Sequence, residues 1–337
     1  ITRYTTRQMV AIGLVLVACG HALSLLAANI IMMAAFQAIG GFGTGLVICV
    51  VNATAARTKK PEMTYGWINA SVGAYLSILA LVVHKVFLFG GFMAAYSLYA
   101  LLAVAGLLCL PALPDSRAPS KSGAPDSIEG GTPAAAKMAL LGSNAGWFAL
   151  VGLGVFYFSI AGMGAFIERI GTKADVSLPT IGLAFFVGGI LTIICPLVAG
   201  IVGARFGSTR PLVLVGALMC ATAFVLSMGG STISYLVSIP IWIVLPAILT
   251  PSFLGGLAVI DRSGRLAGAQ PAFASLGGSM GPMSAGAVAD ASGYQGLGLF
   301  IIVILIAALA LMAIATTKAD GIRLATAGAC RSTSRAN

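Results

Sequence analysis

Hydrophobic residues in this chain come in long runs without a charge. Ten stretches hold no Asp, Glu, Lys or Arg: Met9–Ala28, Ile30–Asn52, Tyr65–Val83, Val86–Leu110, Gly146–Ile167, Pro179–Ala204, Pro211–Gly230, Ile233–Ile260, Leu266–Ala289 and Tyr294–Thr317. Each is close to or beyond the roughly 20 residues a helix needs to cross about 30 Å of hydrocarbon. Strands of a barrel would be half as long and would alternate in polarity. The pattern predicts an all-α integral membrane protein of about ten transmembrane helices. Two joints lie in uncharged sequence: a very tight turn at Ala28–Asn29 and a turn within Gly229–Ser234.

Composition agrees. Hydrophobic residues make up 59% of the 337 and charged ones only 8%, where a soluble domain carries roughly a quarter charged. The net charge of +10 invites a nucleic-acid reading, which the distribution argues against. Threading the spans with both ends on one side puts all the Lys and Arg there except Lys85, Arg169 and Lys173. That bias marks the cytoplasmic side, so both termini are expected to be cytoplasmic, in a plasma (bacterial inner) membrane. A nucleic-acid surface would gather the same charges on one folded face. Cys19, Cys49, Cys109, Cys195 and Cys220 fall inside spans without paired spacing and read as small core residues; Cys330 falls in the tail. The apolar run after Arg3 and Arg7 is longer than a signal peptide's and leads straight into another span, so it reads as a first helix.

The longest polar stretch, 111–144, is rich in Pro, Gly, Ser and Ala and reads as a disordered cytoplasmic linker. It divides a four-helix half, 1–110, from a six-helix half, 145–317, with a cytoplasmic tail at 318–337. The halves repeat in register. Arg3 and Arg7 open the first span as Arg205 and Arg210 open the seventh. Each is followed by two spans, a basic loop at Arg57 or Arg262, and two more spans. The second half has two spans before its Arg-rich loop and the first has none; the chain also begins at Ile1. Two further helices are therefore expected upstream.

These residues resemble the major facilitator superfamily of transporters, whose members have two six-helix halves joined by a long cytoplasmic loop. Its signature loop is Gly-x-x-x-Asp-Arg/Lys-x-Gly-Arg/Lys-Arg/Lys. Gly200 to Arg210 looks like the second copy, with Arg205 and Gly207 in place, Ala204 where Asp is expected and Arg210 one residue late. Thr2 to Arg7 looks like the tail of the first copy, with Thr2 and Thr5 replacing Asp and Gly. Both copies lack the acid, which puts the family's charge-relay gate in question here. The resemblance implies gating roles for Arg3, Arg7, Arg205, Gly207 and Arg210, with Asp261 and Glu62 as acid partners by topology. Gly277 to Pro282 resembles the Gly-Pro pattern of the family's eleventh helix, which makes Gly281 and Pro282 gating candidates; tight packing with a kink is the plainer reading.

Other polar positions inside spans are candidates for a substrate path. Pro240, Pro246 and Pro251 free backbone carbonyls around Trp242, which is tolerated at membrane depth only beside protein or a wet cavity. His21 is the only ionisable charge carrier inside a span, a proton-coupling candidate or else a packing histidine. Glu168 and Arg169 follow the fifth span as an outer gate or substrate anchor, or as an interfacial pair reaching for water. Gln37, Asn69, Tyr157 and Gln270 complete the set.

The preferred reading is a secondary active or facilitative carrier of a small solute, working by alternating access. It would be monomeric in lipid, with a coupling proton as a further partner, no nucleic acid and no cofactor. No Walker-type Gly-x-x-x-x-Gly-Lys sequence occurs to suggest ATP drive. Two rivals stand beside it. A complete ten-helix carrier of the drug/metabolite type would place its linker after span five. A membrane-embedded transferase would need catalytic carboxylates or histidines clustered at one interface, and His21 and His84 lie far apart.

Overall fold

The computed structural model describes residues 5–113, 144–228, 231–261 and 263–336, of which 80, 81, 84, 144, 200, 202–206 and 325–336 are described by backbone alone. Most of the expected linker falls outside these residues, as do Arg3, Arg262, Gly229 and Gly230. The regular structure among the described residues is helical.

Two compact units form, Ile1–Asn52 with Ile78–Lys137, and Ala53–Ser77 with Met138–Asn337. In the first, α1 is Thr6–Ser24 and α2 is Ile30–Ala55. Thr5 opens α1 with a reciprocal cap, its hydroxyl accepting from the Gln8 amide at 3.3 Å while its own amide donates to Gln8 Oε1 at 2.9 Å. Helix α1 ends four residues earlier than expected, because Asn29 Oδ1 accepts from the Met32 amide at 2.8 Å and starts α2 afresh. The two helices touch backbone to backbone. A Cβ on Gly20 would lie 2.5 Å from the Gly40 nitrogen, and one on Gly43 would lie 2.5 Å from the Gly13 oxygen.

The helix Pro61–Leu108 is broken at Gly90 and Gly91, giving α3 (61–89) and α4 (92–108). The expected joint lay at His84–Lys85. A charge at the end of an apolar run does not stop a helix, since lysine is a good helix former. Gly91, at φ +60°, is what breaks it. A short 3₁₀ turn, Leu110–Ala112, follows.

The second unit holds α5 (Asn144–Gly164), the short α6 (Ile167–Lys173), α7 (Leu178–Phe206), α8 (Thr209–Met228) and α9 (Thr232–Ile260). The final helix, Arg265–Ala336, breaks at Gly293 (φ +69°) into α10 (265–292) and α11 (294–336). Its core stripe on α11 is Leu297, Ile301, Leu305, Ala308, Met312, Ala315 and Ala319, each at 1% exposure or less. The spacing of three and four puts them on one face. Leu299, Val303 and Ile306 on the other face are more than half exposed; both faces are apolar because lipid replaces water outside. Two of the thiols expected in the core, Cys19 and Cys109, are exposed instead, which costs a small apolar group little in lipid. Glycines bring α5 and α10 together: a Cβ on Gly277 would lie 2.7 Å from the Gly154 carbonyl carbon, and one on Gly281 would lie 2.9 Å from the Gly162 nitrogen.

Eight stretches of described helix are long and apolar enough to cross a membrane. The last of them, Arg265–Leu324, runs 60 residues across the Gly293 break and accounts for two passes. Nine of the ten expected spans coincide with these stretches; Tyr65–Val83 lies on α3 and includes residues described by backbone alone.

Candidate functional site: a carboxylate clamp in the second unit

The loop between α7 and α8 carries the signature glycine. Gly207 sits at φ +81°, a left-handed conformation that side chains resist. It turns the chain so that the Ser208 amide donates to Asp320 Oδ1 at 2.9 Å and the Thr209 amide donates to Asp320 Oδ2 at 3.0 Å. One carboxylate from α11 thus binds both amides that open α8, an N-cap supplied by another helix. Bonds of this kind to an ionised acceptor are roughly twice as strong as neutral ones. The fit leaves no room for a Cβ, which at Gly207 would lie 2.6 Å from Asp320 Oδ1.

One turn further along α11, Arg323 pairs with Glu62 from the first turn of α3. Glu62 is only 7% exposed and lies against Gly255 of α9. Ser208, at 1% exposure, lies against Gly256. Asp261, after α9, accepts from the Ser263 amide and the Leu266 amide, both at 2.9 Å, and from the Ser263 hydroxyl at 2.5 Å. It thereby caps α10. Arg57 donates twice to the Ser263 carbonyl, from Nε at 3.2 Å and Nη2 at 3.0 Å. Five segments are therefore tied at one end of this unit through three carboxylates.

The acids expected beside this loop have partners of their own among the described residues. Asp261 gives its oxygens to backbone amides and Glu62 takes Arg323, while the acid that holds the signature loop is Asp320. Arg210 is exposed, and the Arg205 side chain lies outside the described residues. Arg7, in the first unit, donates to the Leu113 and Pro111 carbonyls at 2.7 and 2.9 Å, so it anchors the chain after α4. The one available signal for Asp320 was its place: the acid nearest the last span, three residues from an arginine on the same helix face.

The path candidates fall on both units. Gln37 Nε2 donates to Ser24 Oγ at 3.0 Å and joins α2 to α1. His21 stacks between Tyr96 and Tyr99, ring centroids 6.1 and 5.3 Å away, and its buried Nδ1 has no partner among the described residues. In the second unit, Asn69 donates to the Tyr65 carbonyl at 2.8 Å. Tyr157 of α5 packs against the core of this unit. Gln270 is 7% exposed and Trp242 2%; the Trp242 Nε1 has no partner among the described residues. Gly281 and Pro282 lie on α10, where Gly281 meets the α5 backbone. Glu168 and Arg169 are both exposed on α6. As neighbours in a helix they point apart, and the Arg169 guanidinium lies 5.4 Å over the Phe166 ring. No group of three or more His, Cys, Asp or Glu that could hold a metal ion occurs among the described residues.

Comparison with known proteins places this architecture. No curated protein matches the sequence significantly. Among solved structures, the human organic anion transporter MFSD10 (TETRAN) is 18% identical with a TM-score of 0.68, over 91% of this chain and 77% of that one. The proton:xylose symporter XylE, bound to 6-bromo-6-deoxy-D-glucose, is 15% identical with a TM-score of 0.66, over 90% of this chain and 80% of that one. The profile of the Major Facilitator Superfamily matches residues 1–262. The chain, a multi-pass integral membrane protein, belongs to the major facilitator superfamily.

Proposed function

We propose that this protein carries a small solute across the membrane by alternating access, and that the clamp on Asp320 is its cytoplasmic gate. The observation that carries the reading is the pair of amide bonds from Ser208 and Thr209 to Asp320, one turn from the part-buried Glu62–Arg323 pair. Helix α11 holds the start of α8 with one acid and the start of α3 with the next base. Both contacts break together if α11 shifts by a turn or less, which makes the end of the unit bistable. The clamp supplies from α11 the acid that Ala204 fails to supply within the loop.

The halves 1–110 and 145–317, joined by the linker 111–144, rock about a path flanked by Gln37, Asn69, Tyr157, Trp242 and Gln270. Glu168 and Arg169 stand at its outer end, and Gly281 with Pro282 allows α10 to slide on α5. Both termini are cytoplasmic, as the Lys and Arg bias requires. His21, between two tyrosines, is the proton-coupling candidate; XylE, of similar fold, is a proton symporter. Lipid is the surrounding partner and the protein acts as a monomer, without cofactor or nucleic acid.

The gate is tested by replacing Tyr157 with cysteine in a background lacking the native cysteines. Asp320→Asn should favour the cytoplasm-open state and lower alkylation by an impermeant reagent added outside, about tenfold for roughly 1.4 kcal/mol of population shift. Equal alkylation from both sides with and without Asp320→Asn would leave the clamp as a helix cap alone.

A further inference from the structure

The opposite end of the second unit carries a feature that the transport reading does not use. A cavity of about 400 Å³ opens where α6, the end of α8, the start of α9 and the α10–α11 break converge. Its size falls in the range of small-ligand pockets. Among the described residues of its wall, Lys173 alone is charged. The ammonium lies 5.2 Å over the Tyr294 ring, and no carboxylate pairs with it among the described residues. Glu168, Asp175 and Asp290 lie on or beside the same elements, and none of them lines the cavity. The ring face steadies the ammonium and, unlike a carboxylate, leaves its N–H donors unclaimed. Thr232 and Gln295 also line the cavity, and their side chains have no hydrogen-bond partner among the described residues. Leu226 and Met228 supply apolar wall.

We infer that this cavity binds an amphiphilic anion, its carboxylate or phosphate head on Lys173 with Thr232 and Gln295, its apolar chain against Leu226 and Met228. Three observations converge on that chemistry. A single unpaired cation selects an anionic head, and a lysine ammonium serves as a point charge for phosphate or carboxylate. The neutral donors take the remaining oxygens. The cavity also sits where the apolar stretches of four helices end, the depth at which a lipid or a detergent-like solute keeps its head in water and its chain in hydrocarbon. A small hydrophilic anion would gain nothing from the apolar wall.

The site lies apart from the clamp, so its test is independent of the gate. The purified full-length chain in a neutral detergent is titrated by calorimetry with dodecanoate, dodecyl phosphate and, as charge-reversed control, dodecyltrimethylammonium. Native mass spectrometry of the same preparation reads retained phosphatidylglycerol. The anionic amphiphiles should bind, with at least tenfold weaker affinity in Lys173→Gln and little change in Lys173→Arg. Inorganic phosphate and acetate should bind at least a hundredfold more weakly. Phosphatidylglycerol lost from Lys173→Gln alone identifies a membrane lipid as the source, whereas binding of the single-chain anions without retained lipid identifies a free amphiphile. Unchanged affinity in Lys173→Gln, provided its melting temperature matches the parent, overturns the inference. Equal binding of the cationic amphiphile does the same.

Discussion

The two ends of the second unit hold their connections by opposite means. At the α7–α8 end, carboxylates are held by backbone amides and by one arginine: Asp320 by Ser208 and Thr209, Asp261 by Ser263 and Leu266, Glu62 by Arg323. At the α6 end, cations rest on ring faces, Arg169 on Phe166 and Lys173 on Tyr294, beside an open cavity. Charge-assisted bonds have fixed directions and are lost abruptly when geometry changes. Exposed cation–π contacts are worth about 0.5–1 kcal/mol and tolerate sliding. The first end is therefore held in one geometry, and the second tolerates sliding.

The contrast is broken most severely at Arg323. Arg323→Met leaves Glu62 charged and buried, and losing one partner of a buried pair costs about 3–5 kcal/mol. The variant should unfold at markedly lower temperature in detergent, and adding Glu62→Gln should recover part of the loss. If the double variant is no more stable than the single one, Glu62 and Arg323 do not act as a pair. A smaller effect is expected at Gly207, where alanine meets both a positive φ and the Asp320 carboxylate. Gly293 has a positive φ too, yet a Cβ there meets nothing within 4 Å. Gly207→Ala should cost about 2–3 kcal/mol and Gly293→Ala about 1 kcal/mol. Equal costs, measured as denaturant midpoints, would mean the carboxylate adds nothing beyond the backbone.

This asymmetry explains what could be read in the sequence. The spans were legible because the bilayer excludes charge along whole helices, a signal repeated ten times. The α3–α4 joint lies beyond Lys85, where the charge pattern puts it, because backbone conformation at Gly91 decides where the helix breaks. At the clamp, Gly207 announced itself through local spacing. Asp320 did not, because its partner Thr209 is 111 residues away, and topology points first to Asp261 and Glu62. Glu62 and Arg323 are 261 residues apart, and neither spacing nor charge bias predicts such a contact. At the other end the sequence drew attention to Glu168 and Arg169, adjacent and opposite in charge. The three-dimensional arrangement favours Lys173, which one helix turn and an aromatic from α11 place at the cavity.

The smallest effect expected is at Arg169, and it tests whether the α6 end is as loose as the contrast implies. Both members of the Glu168–Arg169 pair are exposed, so neither is desolvated and neither needs the other. Arg169→Ala removes one exposed contact with the Phe166 ring, worth about 0.5–1 kcal/mol. Phe166 itself is buried at 7% exposure and packs on Tyr294 with ring centroids 6.4 Å apart, so the ring stays in place without its cation. The melting temperature should fall by no more than about 2–4 °C for a unit of this size. Glu168→Ala should change it less, because no ion pair involves Glu168 among the described residues. A loss at Arg169 approaching that at Arg323 would show that this end is fixed by a charge network too, and the difference between the two ends would disappear.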